Sequence, residues 1–164
     1  MTNEKRPAPV FKGQKKYANN EEGFGVWLPD DWHKFDMKDG HIGWIFSPYE
    51  DDFNTSFTVE KHKFEYKVTP EDKDLLMEGF FEGINSLPDV EILESRSQAG
   101  KKAIVLEAQF TFTEDGQTRK RWIKSMYWGE ANLVFIAQGK TIEDLEYWKS
   151  MLFISMNDYE LGIA

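Results

Sequence analysis

A chain of 164 residues with 40% hydrophobic content can bury a core of its own, and its lack of cysteine excludes disulfides, thiol chemistry and thiolate metal sites. A formal net charge of −9 argues against nucleic acid as a general partner, and no stretch approaches the ~20 apolar residues of a membrane span. An aromatic share of 15% predicts a well-packed core, with any surplus ring on the surface marking a docking site.

Residues 1–22 are polar, contain Pro7 and Pro9 and show no apolar period. They predict a flexible N-terminal tail, with Val10, Phe11 and Tyr17 able to touch the domain. The tail carries five cations against three carboxylates, a net of +2 that leaves about −11 for the rest. No apolar signal region follows Met1, so a native Met1 implies a cytoplasmic protein. An exported domain or lipoprotein trimmed and given a new Met1 would begin in the same way and belong to the cell envelope.

From Gly23 the pattern sharpens. Phe24 to Leu28 is a short apolar run that predicts a strand, and Pro29 ends it because proline cannot donate to a ladder. Asp30 to His33 fits a helical turn that seats Trp32 on the core or its rim. Residues 42–47 and 54–62 predict two more strands, the second alternating through Phe57 and Val59. A helix follows, with Thr69 as cap, Pro70 at its first position and Asp72 three past the cap. Leu76, Phe80, Ile84 and Leu87 form its apolar stripe with Met77 and Phe81 beside them, and Pro88 stops it.

Residues 90–139 predict a run of antiparallel strands. Asp115-Gly116 lies between two long strand patterns and signals a two-residue hairpin turn. That register sets Glu107 opposite Lys124 and Val105 opposite Met126. A second turn near Gly129-Glu130 leads into a strand with Leu133, Phe135 and Ala137 on one face and Val134 and Ile136 on the other. Ile104, Leu106, Ala108 and Phe110 likewise share a face, opposite Ala103 and Val105. Strands apolar on both faces must be covered on both. Thr141, with Asp144 third after it, caps a last helix whose stripe is Leu145, Trp148 and Leu152. The strand and helix order predicts an α+β fold: an α/β/α sandwich with a largely antiparallel sheet of six or seven strands and a helix on each side. One domain is expected over 23–156, with a short tail at 157–164.

No motif carries chemistry. Gly23-Phe24-Gly25 opens onto a strand, whereas a phosphate cradle needs glycines leading into a helix N-terminus. His33, His41 and His62 share no ligand spacing, and Asp36–Gly40 fails the calcium-loop template. No serine sits in a nucleophile elbow, and no pair among 29 carboxylates stands out as acid and base. Catalytic residues, metal ligands and cofactors are therefore not assigned. Residues 118–124 form the basic cluster of the acidic domain, with Arg119 and Arg121 on one strand face and Lys120 and Lys124 on the other. The cluster is read either as solvated and paired charge or as an anion or partner-docking patch.

Tyr17, Gly23, Phe24, Val26, Leu28, Pro29 and Trp32 form a pattern that resembles the start of PsbP-like domains. Further along, the chain is similar to that superfamily in four places: Ile92-Leu93-Glu94-Ser95 entering a strand, a long hairpin with Arg119 and Arg121 past a glycine turn, the strand LVFIA, and a closing helix that bears Trp148 and ends MLFISM. The resemblance spans residues 17–156. It implies an α/β/α sandwich and a role in binding other proteins, as in photosystem subunits, a Ran-binding import factor, DcrB-type bacterial proteins and secretion chaperones. It implies no shared catalytic set and carries no specific residue over.

The expected function is a non-catalytic protein-binding or accessory, chaperone-like module whose partner is another protein. Trp32, Arg121 and Trp128 are the contact candidates, since Trp and Arg dominate binding hot spots. The alternative is a small-ligand carrier or weak enzyme with a pocket between sheet and helices lined by Trp44, Phe57 and Trp122.

Overall fold

Strand pairing begins inside the segment expected to be a tail. The computed structural model describes residues 7, 9–10, 13–100 and 102–162, and in it β1 (Gln14–Asn19) pairs antiparallel with β2 (Phe24–Pro29). The correction has a physical reason. β1 carries one large ring, Tyr17, packed 4.9 Å from Phe46, and a strand with no fully buried residue and one large apolar side chain gives no readable period. Val10 is exposed, and Phe11 lies outside the described residues.

The remaining elements follow as β3 (His33–Asp36), β4 (Ile42–Ser47), β5 (Ser56–Lys63), α1 (Lys73–Asn85), β6 (Glu91–Ala99), β7 (Ile104–Glu114), β8 (Gln117–Trp128), β9 (Ala131–Gly139), α2 (Ile142–Asn157) and β10 (Glu160–Leu161). A 3₁₀ turn over Pro70–Asp72 leads into α1, and Asp72 Oδ2 accepts the Thr69 backbone N–H at 2.8 Å. At α2, Thr141 Oγ1 accepts the Asp144 backbone N–H at 3.2 Å, the cap its sequence predicts. Besides β1, two short strands fall where none was expected. β3 replaces the end of the anticipated helical turn, and β10 pairs with β2 from within the C-terminal tail.

The larger sheet has the order β3-β4-β5-β9-β8-β7-β6, antiparallel throughout, and a three-stranded sheet has the order β1-β2-β10. Asp115 and Gly116 both take positive φ, 53° and 74°, which is the type I′ turn that matches strand twist. Glu107 faces Lys124 and Val105 faces Met126, as that turn requires. Gly43 in β4 has φ 154°, and a Cβ there would sit 2.0 Å from the Val59 carbonyl oxygen. Only glycine allows β4 and β5 this approach.

The seven-stranded sheet is covered on both sides, by different means. On one face Phe46, Phe57, Val59, Trp122, Met126, Leu133 and Phe135 are buried against Phe24, Val26 and Leu28 of β2 and against Leu145, Leu152 and Met156 of α2. The small sheet and α2 together make this cover. Ser155 Oγ joins them by donating to the Trp27 carbonyl at 2.6 Å. On the other face α1 sets Ile84, with Phe80, Phe81 and Leu87, over Ala108, Phe110 and Phe112. Leu76 and Met77 extend it over Ile104 and Leu106. The chain is thus an α+β sandwich, with a second small sheet sharing the α2 side.

Candidate functional site

The α1 face is covered over only part of its width. A single row of cross-strand neighbours runs Phe35, Ile45, Thr58, Ile136, Ile123, Ala108. At the β7 end Ala108 is buried and Ile123 packs against the α1 cluster. Phe35, Ile45, Thr58 and Ile136 are half-buried, and no described helix or strand lies over them. Phe53, from the loop 48–55, stands edge-on to Phe35 at 4.7 Å and is itself 46% exposed. Together with Met37 and Ile45 these rings line a groove of about 780 Å³ at the β3 edge. Lys38, Asp39 and His41 rim it.

Farther along the same face stand two arginines from β8. Arg119 and Arg121 are two residues apart and so project on the same side. Arg119 is 6% exposed and donates from Nη1 to Asn54 Oδ1 at 2.8 Å. Its Nε is buried with no acceptor among the described residues, and its nearest carboxylate, Glu114, lies 3.9 Å away and half-exposed. Arg121 donates from Nε to Gln138 Oε1 at 3.0 Å, and its guanidinium lies 4.5 Å from the Phe112 ring centroid. Gln138 Nε2 in turn donates to the Asn54 carbonyl at 3.1 Å. Burial lowers the Arg121 pKa from its ordinary value; Glu114 opposes that shift, and Arg119 adds a smaller push in the same direction as burial. Asn54 follows Phe53 in the chain, so one loop borders both the groove and the arginine pair.

The opposite face leaves a different gap, where β6 and β7 extend past the end of α2. Glu107 there accepts from Arg96 Nη2 at 2.9 and 3.0 Å and from Trp122 Nε1 at 3.1 Å. Lys124 Nζ lies 3.7 Å from Glu107 and donates to the Met156 carbonyl at 2.8 Å and to Asn157 Oδ1 at 3.0 Å. The lysine thereby satisfies carbonyl groups at the α2 C-terminus, where the helix dipole favours a cation. Burial lowers the Lys124 pKa and raises that of Tyr159, whose ring lies 5.5 Å below the ammonium. A polar cavity of about 460 Å³ opens beside this cluster.

The three residues singled out as contacts do not share a surface. Trp32 is 4% exposed and meets Trp148 edge-to-face at 5.3 Å, so it serves the core. Arg121 belongs to the partly open face. Trp128 is half-buried on the opposite face, beside Lys61, Lys63 and Phe64 at a cavity of about 320 Å³. None of the residues nominated for an internal pocket borders the cavities described above. Phe57 and Trp122 are buried, and Trp44 packs 5.3 Å from Phe24. The groove residues Phe35, Ile45 and Phe53 were not singled out. The nearest sequence signal is Phe53 itself, a ring in the acidic turn segment PYEDDF.

No family model matches the chain, and no curated protein does. Solved structures do match its fold. Cyanobacterial PsbP (CyanoP) from Synechocystis sp. PCC 6803 superposes with a TM-score of 0.64 at 11% identity, over 97% of this chain and 98% of its own. LpqN, involved in cell envelope biogenesis of Mycobacterium tuberculosis, gives 0.62 at 11% identity over 92% and 91%. The Ran-binding protein Mog1p of Saccharomyces cerevisiae gives 0.54 at 9% identity over 92% and 96%. The chain has the fold of PsbP-like proteins, as the residue pattern implied.

Proposed function

We propose that the chain is a non-catalytic protein-binding or accessory module that docks through the open part of its α1 face. The observation that carries this reading is the half-exposed Phe53 over Phe35 beside a groove of about 780 Å³, on sheet strands that no described element covers. Exposed rings over an apolar floor are what a binding hot spot requires. The same fold serves a Ran-binding protein, Mog1p. Of the nominated residues, Arg121 lies on this face and is the contact retained here.

Photo-crosslinking from benzoylphenylalanine placed at 53, and separately at 45, tests the reading in the source cell. One protein adduct is expected from both positions and not from position 75 on α1, where Leu75 is more open to solvent than either. Adducts of equal yield from all three positions, or none from 53 and 45, would overturn it.

A further inference from the structure

Two guanidinium groups on one strand face need counter-charge, and the fold supplies little of it. Around Arg119 and Arg121 the cross-strand neighbours are Phe112, Phe110 and Gln138, none of them charged. Glu114 is 3.9 Å from Arg119 and half-exposed, and Asp52 is engaged by the Asn54 backbone and side-chain amides. Arg119 keeps a buried Nε–H with no acceptor among the described residues, although a buried donor is normally satisfied. Arg121 is stacked on Phe112, which fixes the plane of its fork, and both its Nε and Nη2 donate to the single oxygen Gln138 Oε1. A planar fork held in place by a ring and one neutral oxygen, beside a second guanidinium with an unmet N–H, is an arrangement suited to a two-oxygen anion.

We infer that Arg119 and Arg121 form a receptor for a carboxylate carried by the docking partner, so that the segment crossing this face is acidic. The inference rests on the docking role proposed for the open face and names the chemistry of its occupant. The order of features along the surface fits one extended segment. Apolar side chains would enter the groove at Phe35 and Phe53, and an Asp or Glu would reach the arginines beyond Asn54. A carboxylate on a protein segment is favoured over free phosphate because the arginine pair adjoins an apolar groove, which phosphate cannot use.

The probe is a fluorescein-labelled extended peptide alternating Glu with Val, compared with its Gln counterpart and with inorganic phosphate. Binding is read by anisotropy and by the Nε–H resonances of the two arginines. The Glu peptide is expected to bind about tenfold more tightly than the Gln peptide and to shift both resonances. Arg121→Gln should erase that difference. Arg121→Glu should transfer the preference to a peptide alternating Lys with Val, a reversal that loss of folding cannot produce. Equal affinity for the Glu and Gln peptides, or resonances moved by phosphate and not by the Glu peptide, would overturn the receptor. Phe53→Ser separates the two proposals. If it leaves both peptides bound as tightly as before while the Glu preference persists, the receptor stands and the groove-docking reading fails.

Discussion

The two faces of the seven-stranded sheet are covered at opposite ends. Small sheet and α2 bury the face over β4, β5, β9 and β8 and stop short of β6 and β7, where Arg96, Glu107 and Lys124 gather. α1 buries the other face over β7 and leaves β3, β4, β5 and β9 open, where Phe35, Ile45, Thr58 and Ile136 lie. Each face therefore has one sealed end and one open end, and the two open ends differ in chemistry. Where the cover ends over charge, the charges satisfy one another and hold down the α2 C-terminus. Where it ends over apolar side chains, the rings have nothing within the described chain to satisfy them. A gap of the first kind is explained by the fold alone, whereas one of the second kind points outward.

The largest contrast should appear between adjacent residues of β9. Phe135 is fully buried on the α2 face, and Phe135→Ala is expected to cost about 3–5 kcal/mol of unfolding free energy in urea. Its neighbour Ile136 is half-buried on the open stretch of the other face, and Ile136→Ala should cost about 1–2 kcal/mol. Equal losses would mean that the open face is sealed in solution, and the comparison would collapse.

The charged end should respond asymmetrically. Glu107→Gln leaves Lys124 buried without its facing carboxylate and Arg96 without its bidentate partner, and is expected to cost about 3 kcal/mol. Lys124→Met should cost less, because Glu107 keeps Arg96 and Trp122 as donors. What remains lost is the tie to Met156 and Asn157. Equal costs for the two substitutions would show that the helix-end contact, and not the ion pair, dominates.

Features set by neighbouring residues were legible in the sequence. Asp115-Gly116 specified a turn and with it the pairing of eleven residues on each strand. Thr141 and Asp144 specified a helix start, and the alternation at 104–110 and 133–137 placed side chains on the correct faces. Features set by what covers what were not legible. β1 and β10 pair with β2 with few large apolar side chains of their own, so neither shows a period, and only β2 of the second sheet is legible as a strand. Trp32 looked like a contact because tryptophan is a common anchor, yet Trp148, more than a hundred residues later, buries it. The groove exists because Phe53 folds back on Phe35, a loop-to-strand contact with no local signal. Arg119 and Arg121 could be placed on one face by strand alternation alone, but their shortage of carboxylates depended on the fold.

The smallest expected effect concerns how the α2-side covers are held at acid pH. Glu22, in the turn between β1 and β2, accepts from Lys63 at 3.0 Å and from Lys61 at 3.2 Å, which ties the small sheet to β5. Glu146 on α2 accepts from Lys120 on β8. The hydrogen bond from Lys63 is the main reason the Glu22 carboxyl sits below the ordinary glutamate range, and that from Lys120 does the same for Glu146. A carboxylate whose folded pKa is depressed stabilises the fold above its unfolded pKa and loses that contribution as pH falls through the folded one. Stability should therefore decline from the ordinary glutamate range downward. Water screens both sites, so each link is worth no more than about 1 kcal/mol. The Glu22→Gln, Glu146→Gln double variant should lose at most the sum of the two links at neutral pH and show a flatter acid limb in urea titrations between about pH 5 and 3. Amide exchange would place the effect. If the covers are held as described, protection at acid pH falls first in β1, β2 and α2 of the parent chain, before β7 and β8, and the double variant removes that order. An acid limb of unchanged slope would show that neither carboxylate links a cover to the sheet energetically, and the α2 side would then rest on its apolar contacts alone.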